Sequence, residues 1–146
     1  MNMFNKILVA IDESDMNSKV LEATLSIANN EKSHVTLVNV SKENVTTGLT
    51  YVPEDYLEEV LNELEKSSIR ILEKAKTKLI SAGGMSIKTI HLKGDPAHQI
   101  LEYAIEHEQE LIIIGSRGLS GMKELMLGSV SHKVAQLSKY PVLIVH

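Results

Sequence analysis

Three short stretches carry residues suited to holding a phosphorylated ligand. Gly115 and Gly118 remove side chains where the chain leaves an apolar run, and Gly128, Ser129, Val130 and Ser131 open a helical pattern. Glycine lets a ligand approach the backbone closely. A helix N-terminus offers unpaired N–H groups and the positive end of the helix dipole to an anion, and Ser129 and Ser131 add hydroxyls. Each exposed dipole contact is worth only ~0.3–1 kcal/mol, so several must converge. The third stretch, Ala10-Ile11-Asp12, sets a carboxylate directly after another apolar run. The plainer alternative is that the glycines serve turns while Ser129 and Asp12 only cap helices.

The surrounding pattern dictates where these residues sit. Ile7-Leu8-Val9-Ala10-Ile11 and Leu111-Ile112-Ile113-Ile114 are short and continuously apolar, as strands buried on both faces of a parallel sheet are. Val35 to Val40 and Val142 to Val145 read as further strands, and Met85 to Lys93 as a weaker one whose alternation changes phase, as at a sheet edge. Between them run helical patterns. The first carries Val20, Leu21, Thr24, Leu25, Ile27 and Ala28 on one face. A long one from Glu54 to Ala82 has a stripe through Leu57, Val60, Leu61, Leu64, Ser68, Ile71, Leu72, Ala75 and Leu79. Acidic residues near its start and Lys74, Lys76 and Lys78 near its end complement the dipole, and Gly83-Gly84 is expected to supply a left-handed cap.

Asp95 and Pro96 start a third helix, with Ile100, Leu101, Ala104 and Ile105 expected inward. The fourth, from about Ser129 to Ser138, is expected to turn Val130, Val134 and Leu137 inward and to be broken by Pro141. Residues 41–53 read as a loop of unusual length, a frequent place for function. Alternating strands and helices imply right-handed crossovers and an α/β fold, a parallel sheet with helices on both faces. Ligands in such sheets bind beyond the carboxyl ends of the strands, where the strand order reverses. All three chemistry-bearing stretches belong there.

Composition narrows the classes. The 146 residues suit one domain spanning 1–146, and 43% apolar with 23% charged residues is ordinary for a globular chain. A net charge of −4 argues against a general nucleic-acid binder, and no cysteine means no disulfide or Cys-ligated metal. The opening residues run straight into a strand pattern without a signal-peptide profile, and no apolar run approaches a membrane span, so a cytoplasmic location with no membrane partner is expected. The six histidines are scattered. His98 and His107 fall on opposite helix faces, and His132 beside the glycine-rich helix start reads as a solvated side chain. Lys66, Arg70, Lys74 and Lys78 repeat every four residues and read as a solvated basic ridge.

The glycines fit neither the Walker A loop nor the G-x-G-x-x-G dinucleotide fingerprint. Gly115, Gly118, Gly128 and Ser129 instead satisfy Gly-x2-Gly-x9-Gly-Ser without a gap. With the opening Lys6 to Asp12, the Gly94-Asp95-Pro96 helix start and the closing Pro141 to Val145, the chain resembles the ATP-binding branch of the universal stress protein family nearly end to end.

That resemblance implies a five-stranded, Rossmann-like sheet of order 3-2-1-4-5 that binds an adenine nucleotide. Asp12 would hold the ribose or adenine side, with Ala10 and Ile11 beside it and Val40 against the base. Gly115 and Gly118 would admit ribose and phosphates. Gly128, Ser129, Val130 and Ser131 would hold phosphates through N–H and hydroxyl groups, and Arg117 could offset their charge. ATP, with Mg2+ as a companion ion, is the implied ligand, and AMP or cyclic AMP would share the base and ribose contacts. The strand at Val142 to Val145 would pair with its mate in a homodimer, covering an edge that is otherwise a liability. Glu13 stands where the family often has Gly, and its carboxylate could repel phosphate or help hold a metal. Three functions remain open at this point: a regulatory protein whose ATP occupancy signals to a protein partner of unknown identity, a slow ATP-hydrolysing enzyme with no assembled catalytic constellation, and a nucleotide-free interaction module.

Overall fold

The computed structural model describes residues 4–12, 14, 16–28, 31–41, 54–117 and 128–146. Its elements, in chain order, are β1 (Lys6–Ala10), α1 (Met16–Ile27), β2 (His34–Ser41), α2 (Glu54–Ala82), β3 (Ser86–Lys93), α3 (Pro96–Glu106), β4 (Leu111–Gly115), α4 (Ser129–Leu137) and β5 (Val142–Val145). The strands form one sheet of order β3-β2-β1-β4-β5, and every pairing is parallel. β1 pairs Leu8 with Thr36 of β2 on one side and with Ile112 of β4 on the other.

The continuous apolar runs exist because the central strands are buried on both faces. Ile7 and Val9 of β1 and Leu111 and Ile113 of β4 join Val20 and Leu21 of α1 and Leu72, Ala75 and Leu79 of α2 in one core. Leu8, Ile112 and Ile114 point the other way, into a second core with Ala97, Ile100 and Ala104 of α3 and Val134 of α4. Ile7, Leu8, Val9, Ile112 and Ile113 are wholly inaccessible, and each such side chain contributes about 1.5–3 kcal/mol relative to exposure. β3, which showed the phase change, is an edge strand.

Several local expectations are corrected. Neither Gly83 nor Gly84 is left-handed; the one described glycine with positive φ is Gly94. A Cβ at Gly83 would lie 2.8 Å from Cε of Met85, the tip of a flexible side chain that can move aside, so packing does not demand glycine there. No basic residue occupies the last turn of α2, since Lys78 falls just before it. On α3 the inward face is Ala97, Ile100, Tyr103 and Ala104, while Ile105 is exposed because the stripe is centred one residue earlier than the sequence suggested. Leu137 is exposed at the last position of α4, and Ser131 is buried in its helix instead. Leu64 of α2 is also exposed. Pro141 does not terminate α4, which ends at Leu137. There the Ser138 hydroxyl donates to Tyr140 O (2.7 Å) and accepts from Tyr140 N–H (3.0 Å), turning the chain toward β5. Of the long 41–53 segment, only Ser41 lies within the described residues.

Candidate functional site

β1 is the switch point, because β2 follows on one side and β4 on the other. Beyond the carboxyl ends of β1 and β4 lies a cavity of about 450 Å³, within the ~300–1,000 Å³ range of small-molecule sites. Ala10, Ile11 and Asp12 line it where β1 ends, and Val38, Asn39 and Val40 where β2 ends. Gly115 and Arg117 contribute from the end of β4, Pro96 and Ile100 from α3, and Gly128, Ser129, Val130 and Ser131 from the start of α4. Every site residue named from the sequence therefore lines this one cavity except Gly118, which, like Glu13, lies outside the described residues.

The cavity divides by chemistry. Val38, Val40, Pro96 and Ile100 make an apolar end suited to a flat ring. At the other end α4 begins. Its N-cap is Gly128 (φ −63°, ψ 160°), and among the described residues no side chain caps the helix. The Gly128 N–H donates to Ser116 O (2.6 Å) and the His132 N–H to Gly128 O (2.9 Å). The intervening N–H groups of Ser129, Val130 and Ser131 belong to the first turn, which has no intrahelical acceptors. An anion is the natural acceptor at such an end.

Two expectations about this end change in detail. The Ser131 hydroxyl is buried and lies 3.1 Å from both Ser116 O and Gly128 O, so its proton ties the two sides of the glycine segment together rather than serving a ligand. Ser129 remains exposed. Gly115 is small for packing: a Cβ there would lie 3.1 Å from Cβ of Met16 and 3.5 Å from Cγ2 of Val20, so the glycine seats α1 against β4. Arg117 reaches toward α1, with Nη2 3.8 Å from Sδ of Met16.

Two asparagines shape the site and were not singled out from the sequence. Asn17 grips Asp12 by both backbone groups, its Oδ1 accepting from the Asp12 N–H (3.1 Å) and its Nδ2 donating to the Asp12 carbonyl. Buried Asn39 donates from Nδ2 to Ile11 O (2.8 Å). Together they fix the β1–α1 turn. Asp12 Oδ1 accepts from the Ser14 N–H (2.7 Å), which leaves Oδ2 for a hydroxyl or a cation. A polar residue inside the apolar run Val35 to Val40 was the available signal for Asn39.

A five-stranded parallel sheet of order 3-2-1-4-5, wrapped on both faces by helices, makes this a Rossmann-like α/β protein. The model of the Universal stress protein family matches residues 3–146, and the chain belongs to that family. It is 49% identical to Universal stress protein YxiE of Bacillus subtilis, across 98% of this chain and 99% of the relative. Among solved structures it is similar to MJ0577 of Methanocaldococcus jannaschii, with a TM-score of 0.86, 29% identity and coverage of 98% and 96% of the two chains. It shares its fold with a universal stress protein from Archaeoglobus fulgidus in complex with dAMP, with a TM-score of 0.68, 22% identity and complete coverage of both chains (100%).

Proposed function

We propose that the protein is a stress-response regulator that binds an adenine nucleotide in the cavity beyond β1 and β4 and whose occupancy signals to protein partners. ATP is the favoured ligand, and AMP and cyclic AMP are the alternatives sharing its base and ribose. The observation that carries this reading is the cavity itself, apolar at one end and closed at the other by the start of α4, where the N-cap Gly128 brings no side chain to the first-turn N–H groups. In it the base packs on Val40, the ribose hydroxyls reach Asp12 and the phosphates lie along the N–H groups at positions 129–131. Arg117, which also lines the cavity, offsets phosphate charge. Membership of the family and the dAMP held by the Archaeoglobus protein support it.

Mg2+ is usually held by substrate phosphates and one or two carboxylates. Asp12, the one carboxylate among the described lining residues, fits that role through Oδ2. Among the described residues no helix is long and apolar enough to cross a membrane, and a cytoplasmic, one-domain protein is part of the proposal. So is a homodimer through β5. That strand ends the sheet, and Val142, Leu143, Ile144 and Val145 are all only half-buried.

Gly128→Val tests the site. The backbone at Gly128 is one that any residue adopts, so the substitution probes space rather than strain. In calorimetric titrations the variant should lose ATP binding while its circular dichroism and melting remain those of the parent. Parental affinity in a folded variant would place the phosphates elsewhere.

A further inference from the structure

We propose that a second groove, between α1 and α2, binds a compact polyanion of the phosphorylated small-molecule class, separately from the nucleotide. The groove has a volume of about 420 Å³. On α2 its wall is Ile71, Lys74, Ala75 and Lys78, spaced i, i+3, i+4, i+7, so the four share one helix face. Ala75 is buried and Ile71 half-buried on that face. The two lysines, exposed as the solvated ridge requires, thus flank an apolar floor that is turned toward α1. Among the described residues, no ion pair engages Lys74 or Lys78.

The facing wall repeats the same spacing with neutral groups, Ser14, Asn17, Ser18 and Leu21. Ser14 Oγ accepts from the Met16 N–H (3.3 Å), a contact that does not use its hydroxyl proton. The start of α1 adds the positive end of its dipole. Asp12 is the one carboxylate among the described lining residues, and its Oδ1 is already held by the Ser14 N–H. Among the described lining residues two ammonium groups stand against one carboxylate, in a chain whose net charge is −4. Lysine ammoniums act as mobile point charges, suited to phosphate groups without demanding one fixed geometry. Asp12, Ser14 and Asn17 line both cavities, so the β1–α1 turn is a wall common to the two ligands.

Pyrophosphate is the probe, followed by amide chemical-shift mapping on the full chain, with citrate titrated in parallel. The expected shifts centre on Ser18, Leu21, Ile71, Lys74, Ala75 and Lys78 and persist in Gly128→Val, whose first cavity is altered. The exposed double variant Lys74→Gln/Lys78→Gln should keep the parental melting midpoint and bind pyrophosphate roughly tenfold more weakly. Tighter binding of pyrophosphate than of citrate supports the phosphate assignment, and equal binding of the two overturns it. Shifts confined to the start of α4, an absence of shifts, or unchanged affinity in the double variant would each overturn the site.

Discussion

Gly115→Ala separates two reasons for a glycine at the mouth of the cavity. If the residue is small so that ligand can approach, alanine leaves the free protein untouched or stabilises it by ~0.4–1 kcal/mol, because the unfolded chain loses freedom. The structure gives the opposite sign. The new Cβ would lie 3.1 Å from Cβ of Met16, 3.5 Å from Cγ2 of Val20 and 3.6 Å from Arg117 O. The Met16 Cβ is fixed by the α1 backbone and cannot swing aside as a side-chain tip would. The start of α1 must therefore shift by a few tenths of an ångström. Overpacking of this kind costs ~1–3 kcal/mol. Set against the entropic gain, the net destabilisation is about 1 kcal/mol, a fall in melting temperature of roughly 3 °C for a chain of this length. Urea and thermal unfolding of nucleotide-free protein measure it directly. An equally or more stable variant would refute the packing argument and return Gly115 to the ligand.

Other perturbations give distinct outcomes. Asp95→Ala removes the oxygen that accepts from the His98 N–H at the start of α3 (3.0 Å), and should cost about 1 kcal/mol in urea unfolding. The exposed contact of Asp95 with Lys133 (3.8 Å) should add little to that loss. Asp12→Asn keeps an Oδ1 for the Ser14 N–H and removes the charge. Melting should be unchanged and ATP affinity roughly fivefold weaker, whereas full affinity would confine Asp12 to the turn. Burial holds the His91 imidazole below its ordinary value of 6.5, with Glu65 opposing and Lys93 reinforcing the shift. The unfolded chain therefore binds the proton more readily, and the native state loses stability as pH falls through 6.5 toward the lower folded value. His91→Gln should flatten that part of the stability profile, and an unchanged slope would assign it to other groups.

Much of the architecture was legible because burial writes itself into residue type. The runs from Ile7 and from Leu111 are apolar on both faces only because β1 and β4 lie inside the sheet with a core on each side. The phase change near Ile87 marked the edge position of β3. Asp95-Pro96 announced α3 through a hydrogen bond made within four residues. The misses all depend on what comes alongside. Whether Tyr103 or Ile105 turns inward is decided by how α3 sits against α4 and the sheet, not by either side chain. The Gly83-Gly84 pair has the composition of a left-handed cap, yet the path of the chain into β3 gives neither glycine a positive φ. Gly115 presented the same difficulty, since its neighbours Met16 and Val20 lie about a hundred positions away in the chain. Lys74 and Lys78 are exposed, as the solvated ridge read from the sequence requires, and the spacing did not show that they also border a groove against α1. The candidate cavity was largely foreseen because its residues sit at strand ends and a helix start, features that local sequence marks strongly. The two asparagines that stiffen it act across five and 28 positions, and of the two only Asn39, a polar residue inside an apolar strand, carried a signal in the sequence.

The most direct measurement is equilibrium dialysis of nucleotide-stripped protein against labelled ATP, with AMP and cyclic AMP as competitors. One saturable ATP per chain, displaced by the other adenine nucleotides and absent in Gly128→Val, is the expected result. Stripped, folded protein that retains none of the three nucleotides would contradict the assignment of the cavity.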